Sequence, residues 1–562
     1  MYIYTRPMKT PLTPQSLIEQ ILQIQRMEHG SLSIIRQGLK GPYYNLNSWE
    51  NGKNCCRYLP QDKVPEVQKA IAGYQQYQQL TEEYAQQVIE QTRAQLKIGV
   101  KKKAPAQPGE LPPQIRLAQE QEIQHLMARF QAAEPNGVAV QQLEVLVRTA
   151  IFKSANQVVG YLLQHAADRI DAAYQPKPGW QRKGRAQLTV DCMFGFFTLE
   201  RDYYYHPGKQ QGHYPADAAL GLEGSSTPAL ARLVCLEGAD EASYQKAQEH
   251  LKETGGIKLS ARQIQRLVQS VGPAAQTWQA REALVPLPGT PPASIMYLSG
   301  DASGVPMRPA ELEGRKGKGP DGKAKTRRAN LGCVFTQHQV DADGHPIRDP
   351  DSTTYVSTLG PVEEFGPLLR QEAIRRGLSL AVFVVLLIDG AEGLANMGRL
   401  CFPAALQIVD FYHAMEHARK VLAALLGSKE HPDFKKRLGR WARQLLRDKV
   451  EALIAATRKE CAGTARAEAV EKELGYFVRN LARMQYGTFR SRGFFIGSGV
   501  IEAGCKTIIG ARCKQSGMFW GEPGAENILA LRCISASRRI TEFWKVRLDA
   551  HAARNDCLAL AV

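Results

Sequence analysis

Two kinds of hydrophobic spacing alternate along the chain. From Pro65 to Lys97, apolar and aromatic positions recur every three or four residues, which predicts a long amphipathic helix. The same spacing returns from Ile115 to Ala173 and predicts further helices. Between Ser294 and Val409, short apolar runs bounded by Gly, Pro and Asp take its place, a pattern typical of strands. We therefore expect mainly helical N-terminal regions followed by an α/β core.

Small hairpins interrupt the helical pattern of the first half. Strands are expected over Tyr43–Trp49 and Asn54–Leu59, joined through Glu50-Asn51-Gly52-Lys53. The Asn-Gly dipeptide in this connection favours tight turns because both residues tolerate positive φ. A second pair is expected at Gln187–Thr189 and Phe196–Tyr205. The N-terminal domains are thus predicted to combine helices with small β-hairpins.

A helix-turn-helix pattern follows the second hairpin. A short helix is predicted over Ala242–Leu251, followed by a turn over Lys252–Lys258 that contains Gly255-Gly256. Ser260 opens a second helix with capping-box spacing, and Arg262 and Arg266 fall on the exposed side of that helix. Both arginines are therefore candidate DNA-binding residues. Many all-helical regions share this outline, so a purely structural helix pair is an open alternative.

The order of elements after Ser294 indicates the fold of the core. Strands are expected over Ile295–Ser299, Asn330–Val340, Thr353–Thr358, Leu380–Ile388 and Ala405–Val409, with a helix over Pro361–Gly377 before the fourth strand. An RNase H-like α/β sheet has this order of elements: three consecutive strands, then a helix, then a strand. The expected fold is an RNase H-like catalytic core, interrupted by a mostly helical insertion over roughly Leu425–Tyr486.

Several acids fall at expected strand ends in this core. Asp301 and Asp389 each follow an apolar strand, and carboxyl ends of strands form the rim where ligands bind in open α/β sheets. Glu502 is expected in or beside the first turn of a helix capped by Gly497-Ser498-Gly499. Three carboxylates there could hold two ions, Mg²⁺ or Mn²⁺. One ion would activate the attacking oxygen of a phosphodiester transfer, and the other would stabilise the leaving oxygen.

Each acid also has an ordinary structural explanation. Asp301 and Asp389 both stand in segments with good turn chemistry, and Glu502 has the spacing for a surface ion pair with Lys506. The metal site is inferred because all three acids fall at one expected rim. Asp410 competes with Asp389 as second metal ligand. The strand order favours Asp389, which ends the fourth strand.

Composition indicates how many domains the chain has, what kind of partner it binds and where it acts. The 562 residues exceed a single core, so several domains are expected. The formal net charge of +17 suits a polyanionic partner. The longest apolar run, Ala381–Ile388, is far shorter than the roughly 20 residues that span a bilayer. The 11 cysteines include no Cys-x-x-Cys pair, which is typical of reduced thiols. A soluble cytoplasmic protein without a membrane partner is expected.

Basic residues cluster on either side of the expected acidic site. One cluster lies within Glu313–Asn330 and another around Trp441. Charge runs are usually solvated faces, but two runs beside a metal site favour phosphate contacts. Such contacts set affinity rather than sequence choice. Together with the helix of Glu502, these clusters contribute the candidate DNA-binding residues Lys316, Lys318, Arg327, Arg328, Lys436, Arg440, Arg443, Lys506, Arg512 and Lys514.

Four segments around the acids carry a resemblance to a known family. They read Tyr-Leu-Ser-Gly-Asp301-Ala-Ser-Gly, Leu-Ile-Asp389-Gly-Ala-Glu-Gly, Ile-Val-Asp410-Phe-Tyr-His413-Ala-Met-Glu-His and Gly-Ser-Gly-Val-Ile-Glu502-Ala-Gly-Cys-Lys. The chain thereby resembles bacterial insertion-sequence transposases of the Kra-type family, within the Mutator-like DDE superfamily. The resemblance implies a DDE triad at Asp301, Asp389 and Glu502. It also implies an accessory Asp-x-x-His motif at Asp410 and His413.

The resemblance also implies a function. The expected protein is a transposase, associated with the bacterial nucleoid, that binds double-stranded DNA at the transposon ends and at the target. It would act as a homo-oligomer on DNA and catalyse strand cleavage and transfer with two metal ions. Two alternatives remain open: a two-metal, structure-selective DNA endonuclease, and a catalytically inactive, transposase-derived DNA-binding protein.

These expectations divide the chain into six regions. In order they are an N-terminal hairpin-plus-helix domain (1–100), a basic Pro-rich linker (101–114), a helical and hairpin DNA-binding region (115–290), the first part of the core (291–424), the helical insertion (425–488), and the second part of the core with the catalytic Glu (489–562).

Overall fold

A computed structural model describes residues 14–38, 41–50, 53–95, 113–131, 136–317 and 323–554 of the chain. Three features expected from the sequence lie outside the described residues: the turn at Asn51-Gly52, positions 101–112 of the linker, and Lys318. The chain divides into two units. The first comprises Met1–Lys101, Arg281–Ser303 and Ala329–Cys505, and the second comprises Lys102–Ala280, Gly304–Arg328 and Lys506–Val562.

The described elements are numbered in chain order. The strands are β1 (Ser31–Gly38), β2 (Gly41–Glu50), β3 (Lys53–Leu59), β4 (Gln181–Cys192), β5 (Gly195–His206), β6 (Gln211–His213), β7 (Ile295–Pro306), β8 (Thr326–Gln337), β9 (Gln339–Val340), β10 (Pro346–Ile347), β11 (Thr354–Thr358), β12 (Phe383–Ile388) and β13 (Leu406–Val409). The helices are α1 (Pro14–Leu22), α2 (Val64–Gln95), α3 (Pro113–Gln131), α4 (Gly137–Ala173), α5 (Pro215–Ala219), α6 (Pro228–Asp240), α7 (Tyr244–Gly255), α8 (Ala261–Ala280), α9 (Val362–Arg375), α10 (Glu392–Cys401), α11 (Phe411–Leu426), α12 (Phe434–Leu445), α13 (Val450–Cys461), α14 (Ala467–Asn480), α15 (Tyr486–Ser491), α16 (Gly499–Gly504), α17 (Ala511–Cys513), α18 (Glu522–Ala536) and α19 (Ile540–Arg554).

The first unit begins with a three-stranded antiparallel sheet. The strands lie in the order β1-β2-β3. The hairpin of β2 and β3 was predicted, but Glu50 and Lys53, which were expected in its connection, pair with each other in the sheet. Leu32, Leu46 and Leu59 form a small apolar core with the start of α2. One face of the small sheet is buried against the helix, and this gives the sheet the apolar core that it needs to be stable.

A five-stranded mixed sheet forms the centre of the first unit. Its strand order is β11-β8-β7-β12-β13. Strands β7, β12 and β13 run parallel, and β11 runs antiparallel to β8. Residues Val384–Ile388 of β12 are all buried, as expected for a strand covered on both faces. This order places the carboxyl ends of β12 and β13 beside the part of β7 that follows Ser299.

The extent of the first strand of this sheet was predicted incorrectly. The sequence suggested a strand that ends at Ser299, with Asp301 in a turn after it. Strand β7 instead continues to Pro306, so Asp301 lies within the strand. The Asp-Ala-Ser-Gly stretch has turn propensity, but it remains hydrogen-bonded in the sheet, and tertiary pairing outweighs the local preference.

Helices fill the chain between β13 and Glu502. Helix α11 packs against α12 and α14, and α13 packs against α14. The indole of Trp441 in α12 meets the ring of Phe477 in α14 edge to face, with 5.1 Å between the ring centroids. The helical character predicted for this stretch is confirmed by α12, α13 and α14.

The second unit combines a long hairpin with a group of helices. Strands β4 and β5 pair along most of their length, and Val190 and Leu199 are buried with residues of α4. Helix α8 packs against α6, α7 and α18. A Cβ on Gly272 of α8 would lie 2.3 Å from the side chain of Asn527, so only glycine permits this approach of α8 to α18. Among the described residues, no helix is long and apolar enough to cross a membrane.

Candidate functional site

Three aspartates lie in one row across the neighbouring parallel strands β7, β12 and β13 of the first unit. Extending the register of β7 with β12, and of β12 with β13, by one or two residues sets Asp301 beside Asp389 and Asp389 beside Asp410. Neighbouring strands lie about 4.8 Å apart, and residues in register point to the same face. Asp301, within β7, therefore lies in one row with Asp389 and Asp410, at the rim where β12 and β13 end.

Backbone amides orient two of these carboxylates. The amide of Ala302 donates to Oδ1 of Asp301 at 2.6 Å, and the amide of Ala391 donates to Oδ1 of Asp389 at 2.8 Å. Both aspartates are half-buried, and the hydrogen bonds they accept within the described part of the chain engage only Oδ1.

The turn that carries Asp389 is held by α14. The Tyr476 hydroxyl donates to the carbonyl oxygen of Asp389 at 2.7 Å, and the Asn480 amide donates to that of Gly390 at 3.2 Å. Gly390 has φ +84°, and a Cβ there would stand 2.6 Å from the Tyr476 hydroxyl. Glycine is thus required at this position. Helix α14 fixes the backbone beside the second acid, a role that no sequence motif indicated.

Asp410 uses both of its carboxylate oxygens inside the protein. It is fully buried and caps α11 by accepting the His413 amide at Oδ1, at 2.7 Å. The same oxygen lies 3.1 Å from Nδ1 of His413, and Oδ2 accepts the amide of Ser498. Asp410 therefore ties the start of α11 to the turn that precedes Glu502.

The helix predicted to carry Glu502 begins where the sequence suggested. Ser498 is the N-cap of α16, and Glu502 lies in its first turn. The Ser498 hydroxyl donates to Oε1 of Glu502 at 3.2 Å. The helix then changes to a π-helical segment over Cys505–Gly510. Such segments are rare and occur frequently at functional sites.

A buried polar link anchors the chain before α16. The Tyr297 hydroxyl donates to Oε1 of Gln337 at 2.6 Å and accepts the amide of Phe495 at 3.2 Å. The Gln337 side-chain amide donates to the carbonyl oxygen of Gly493 at 2.8 Å. Two residues of the sheet thereby satisfy backbone groups of the segment that leads to Glu502, which fixes its path over the sheet.

Charge at the rim is shared between acids and one histidine. The hydrogen bond to Asp410 raises the pKa of His413 to about 9 against the effect of burial, and the charges of Asp410, Asp389 and Glu416 add to the rise. Burial would raise the pKa of Asp410, but hydrogen bonds from His413 and Ser498 outweigh it and hold that pKa below its ordinary value. At neutral pH, His413 is therefore a cation that pairs with a buried carboxylate.

The structure brings together some of the predicted site residues more closely than others. Donor atoms of Asp410, His413 and Glu502 lie within 4.8 Å of one another. Asp301 and Asp389 are not part of that cluster. The accessory pair thus lies next to the third acid, while the first two acids are related by strand register.

Most of the candidate DNA-binding residues have side chains available at the surface. Helix α12 buries Phe434, Trp441 and Leu445 and exposes its basic face, as its apolar spacing predicted. The exposed candidates are Arg262, Arg266, Lys316, Arg328, Lys436, Arg440, Arg443, Lys506 and Lys514.

Two candidates serve the structure of the second unit instead. Arg512 is 1% exposed, and its guanidinium lies between the rings of Tyr244 and Trp520, at 4.6 and 5.0 Å from their centroids. The prediction that Arg512 contacts DNA is therefore wrong, because the helix turns this side chain inward. Arg327 forms an ion pair with Glu522, and only 10% of its side chain is exposed, so it too is an internal residue.

The capping box predicted at the start of α8 is confirmed. The backbone amide of Ser260 donates to the side-chain Oε1 of Gln263 at 2.9 Å, and the backbone amide of Gln263 donates to Oγ of Ser260 at 3.3 Å. Helix α7 continues past Leu251, its predicted end, to Gly255, and its C-cap Gly256 has φ +66°. The helix–turn–helix outline is therefore present, with Arg262 and Arg266 on its exposed side.

Comparison with known proteins gives limited matches. A profile of the uncharacterised protein family UPF0236 matches residues 133–308, which include Asp301 but neither Asp389 nor Glu502. No curated protein matches the chain. Among solved structures, the chain is similar to the Drosophila P element transposase strand transfer complex, with 11% sequence identity and a TM-score of 0.21, over 57% of this chain and 80% of that chain. A TM-score of this size is too low to indicate a shared fold.

Proposed function

We propose that the chain is a DNA transposase of the DDE type, with Asp301, Asp389 and Glu502 as its catalytic acids. The observation that carries the proposal is the register of Asp301 beside Asp389 on adjacent parallel strands. The hydrogen bonds of Ser498 to Asp410 and to Glu502 support the inclusion of Glu502 in the same site. The sheet order β11-β8-β7-β12-β13 is the order expected of an RNase H-like core.

The donor set at the rim fits divalent cations of the Mg²⁺ or Mn²⁺ type. Such cations prefer carboxylate oxygens, and Asp301 and Asp389 each keep one oxygen clear of the described hydrogen bonds. Asp301, Asp389 and Glu502 would hold two ions. Bound there, the ions would activate the attacking oxygen and stabilise the leaving oxygen of a phosphodiester.

The remaining residues of the rim position these acids. Asp410 holds the N-termini of α11 and α16 together, and Tyr476 holds the turn of Asp389. Small displacements of reacting groups are costly in phosphoryl transfer, since catalysis depends on placement. His413 balances the charge of Asp410, so that a buried carboxylate is tolerated beside the site.

Exposed basic residues would bring DNA to this site. Helix α12 presents Lys436, Arg440 and Arg443 on its solvent face in the first unit, and α8 presents Arg262 and Arg266 in the second. Neutralising phosphates with such side chains releases counterions, so we expect DNA affinity to fall steeply with salt. Binding of transposon ends and target by a homo-oligomer belongs to the same proposal.

A strand-transfer assay tests the proposal. The substrate is the DNA that flanks the reading frame, because a transposon carries its ends there. We expect the full chain to nick this DNA and to join the freed 3′-hydroxyl to a target only with Mg²⁺ or Mn²⁺. Asp301→Ala and Glu502→Ala should abolish both products, while Glu468→Ala, at an exposed acid of α14, should retain them.

The same assay separates the alternatives. Nicked DNA without joined product would indicate a two-metal endonuclease. DNA binding without cleavage under any metal would indicate an inactive, transposase-derived protein. Undiminished cleavage by both Asp301→Ala and Glu502→Ala would refute the proposed site.

A further inference from the structure

A groove in the second unit is lined by polar, cationic and aromatic side chains, and the candidate DNA-binding residues Arg262 and Arg266 are among them. It consists of two adjoining cavities of about 480 and 530 Å³. Tyr244, Gln265 and Gln269 line both. Each volume lies in the range of roughly 300–1,000 Å³ that is usual for small-molecule sites. The groove therefore suits a ligand of nucleotide size rather than a duplex.

One wall of the groove is the solvent face of α8. Arg262, Gln265, Arg266 and Gln269 follow one another at helical spacing along this wall. The core face of the same helix buries Ile264, Leu267, Val268 and Val271. The reciprocal hydrogen bonds between Ser260 and Gln263 fix the first turn. Two guanidinium groups and two side-chain amides thus stand on a rigid element.

The opposite wall presents an exposed aromatic ring. Phe519 is 60% exposed, whereas its neighbour Trp520 is buried. The Trp520 indole donates to the carbonyl oxygen of Cys513 at 3.1 Å, and its backbone amide donates to that of Pro306 at 3.0 Å. The chain is therefore anchored at Trp520, and the preceding ring is held in solvent at the edge of the groove. An apolar ring exposed on an anchored loop is available for stacking.

The charges around the groove favour an anion. Arg262, Arg266 and Arg308 are exposed cations among its lining residues. The carboxylate that also lines it, Glu311, accepts the amide of Glu522 at 3.2 Å and is partly buried. Three guanidinium groups against one engaged carboxylate leave positive charge, which complements phosphate.

We propose that this groove binds an unpaired nucleotide of the DNA, with its base stacked on Phe519. Gln265 and Gln269 would contact the base edge, because amide side chains pair with bases through two hydrogen bonds. Arg262, Arg266 and Arg308 would contact the adjoining phosphates. The assignment rests on the proposed function, in which DNA is the substrate, and it adds a site for an unpaired strand.

Fluorescence anisotropy with the full chain tests this site. The probes are a blunt labelled duplex and the same duplex with a short single-stranded overhang that carries 2-aminopurine. We expect the wild type to prefer the overhang and to quench 2-aminopurine by stacking. Phe519→Ala should weaken binding of the overhang DNA by about 5- to 150-fold, the range for losing one base–aromatic stack. Binding of the blunt duplex should be unchanged, and Phe519→Trp should keep the preference.

A matched control is available in the same unit. Phe196 in β5 is 67% exposed and lies outside the groove, so Phe196→Ala should leave both affinities unchanged. A wild type that binds both DNAs equally, or a Phe519→Ala variant that keeps the overhang preference, would overturn the groove assignment while the duplex binding of the proposed function stands. Absence of binding to both DNAs would overturn the proposed function, and this site with it.

Discussion

The Asp410 carboxylate joins the start of α11 to the turn before Glu502 through its hydrogen bonds to His413 and Ser498. Replacing Asp410 by Ala removes these bonds. The His413 amide loses its cap, and the buried Ser498 amide loses its acceptor. Asp389→Ala is the comparison, since Asp389 is half-buried and accepts one backbone amide. The two variants therefore separate a positioning carboxylate from a proposed metal ligand.

The expected cost follows from the two hydrogen bonds. Loss of an N-cap costs about 1 kcal/mol, and a buried amide without an acceptor costs about 1–3 kcal/mol. For Asp410→Ala the sum is about 2–4 kcal/mol, which corresponds to a local opening equilibrium about 30- to 700-fold larger. For Asp389→Ala we expect about 0.5–1.5 kcal/mol, the usual net contribution of one hydrogen bond, and this cost falls on the turn of Asp389 rather than on α11 or α16.

Hydrogen exchange followed by mass spectrometry measures this local opening in the full chain. In Asp410→Ala, peptides that cover residues 411–416 and 497–502 should exchange faster by the factor above, with reduced but measurable DNA cleavage. In Asp389→Ala, the same peptides should keep nearly wild-type protection while cleavage is abolished. Unchanged protection together with abolished cleavage in Asp410→Ala would refute the reasoning and make Asp410 the second ligand.

Three further predictions concern single side chains. Tyr476→Phe removes one hydrogen bond from the turn of the second acid, so cleavage should slow by about tenfold at unchanged DNA affinity in kinetic and anisotropy measurements. Arg512→Leu removes a cation held between two rings and should destabilise the fold by about 2–4 kcal/mol. Circular dichroism should show a lower thermal midpoint. A variant that is fully stable but binds DNA more weakly would contradict the structural role of Arg512. In the folded chain the pKa of His413 is raised to about 9. Its ion pair with Asp410 therefore stabilises the fold fully below the ordinary histidine pKa, and this stabilisation is lost as pH rises through about 9. Between the ordinary histidine pKa and about pH 9, the thermal midpoint should fall more in the wild type than in His413→Gln, and equal falls would contradict the ion pair.

The sequence predicted elements best where local and tertiary preferences agree. The capping box at Ser260, the strand that ends before Asp389 and the helix start before Glu502 were all recognised. In each case a turn or cap residue adjoins an apolar run, so one local signal marks the boundary. Asp301 was placed at a strand end, whereas β7 continues past it, because pairing within the sheet is not encoded in the local pattern.

The contacts that organise the site could not be read from spacing. Tyr476 reaches the turn of Asp389 from a helix 87 residues away in sequence, and Ser498 reaches Asp410 across 88 residues. Spacing along the sequence also does not show whether a side chain points outward or into the core. Arg512 stands in a basic stretch that suggested DNA contact, yet it is buried against Tyr244. Such roles depend on tertiary packing, which a single sequence does not specify.

The most direct test of the central claim is the binding of Mn²⁺ to the full chain with DNA, followed by electron paramagnetic resonance of the free ion. The proposal predicts two ions per chain in the wild type. It also predicts loss of at least one ion in each of Asp301→Asn, Asp389→Asn and Glu502→Gln, and no loss in the exposed control Glu468→Gln. Full binding in all three site variants, with loss in Asp410→Asn alone, would contradict the assignment of the metal-holding acids.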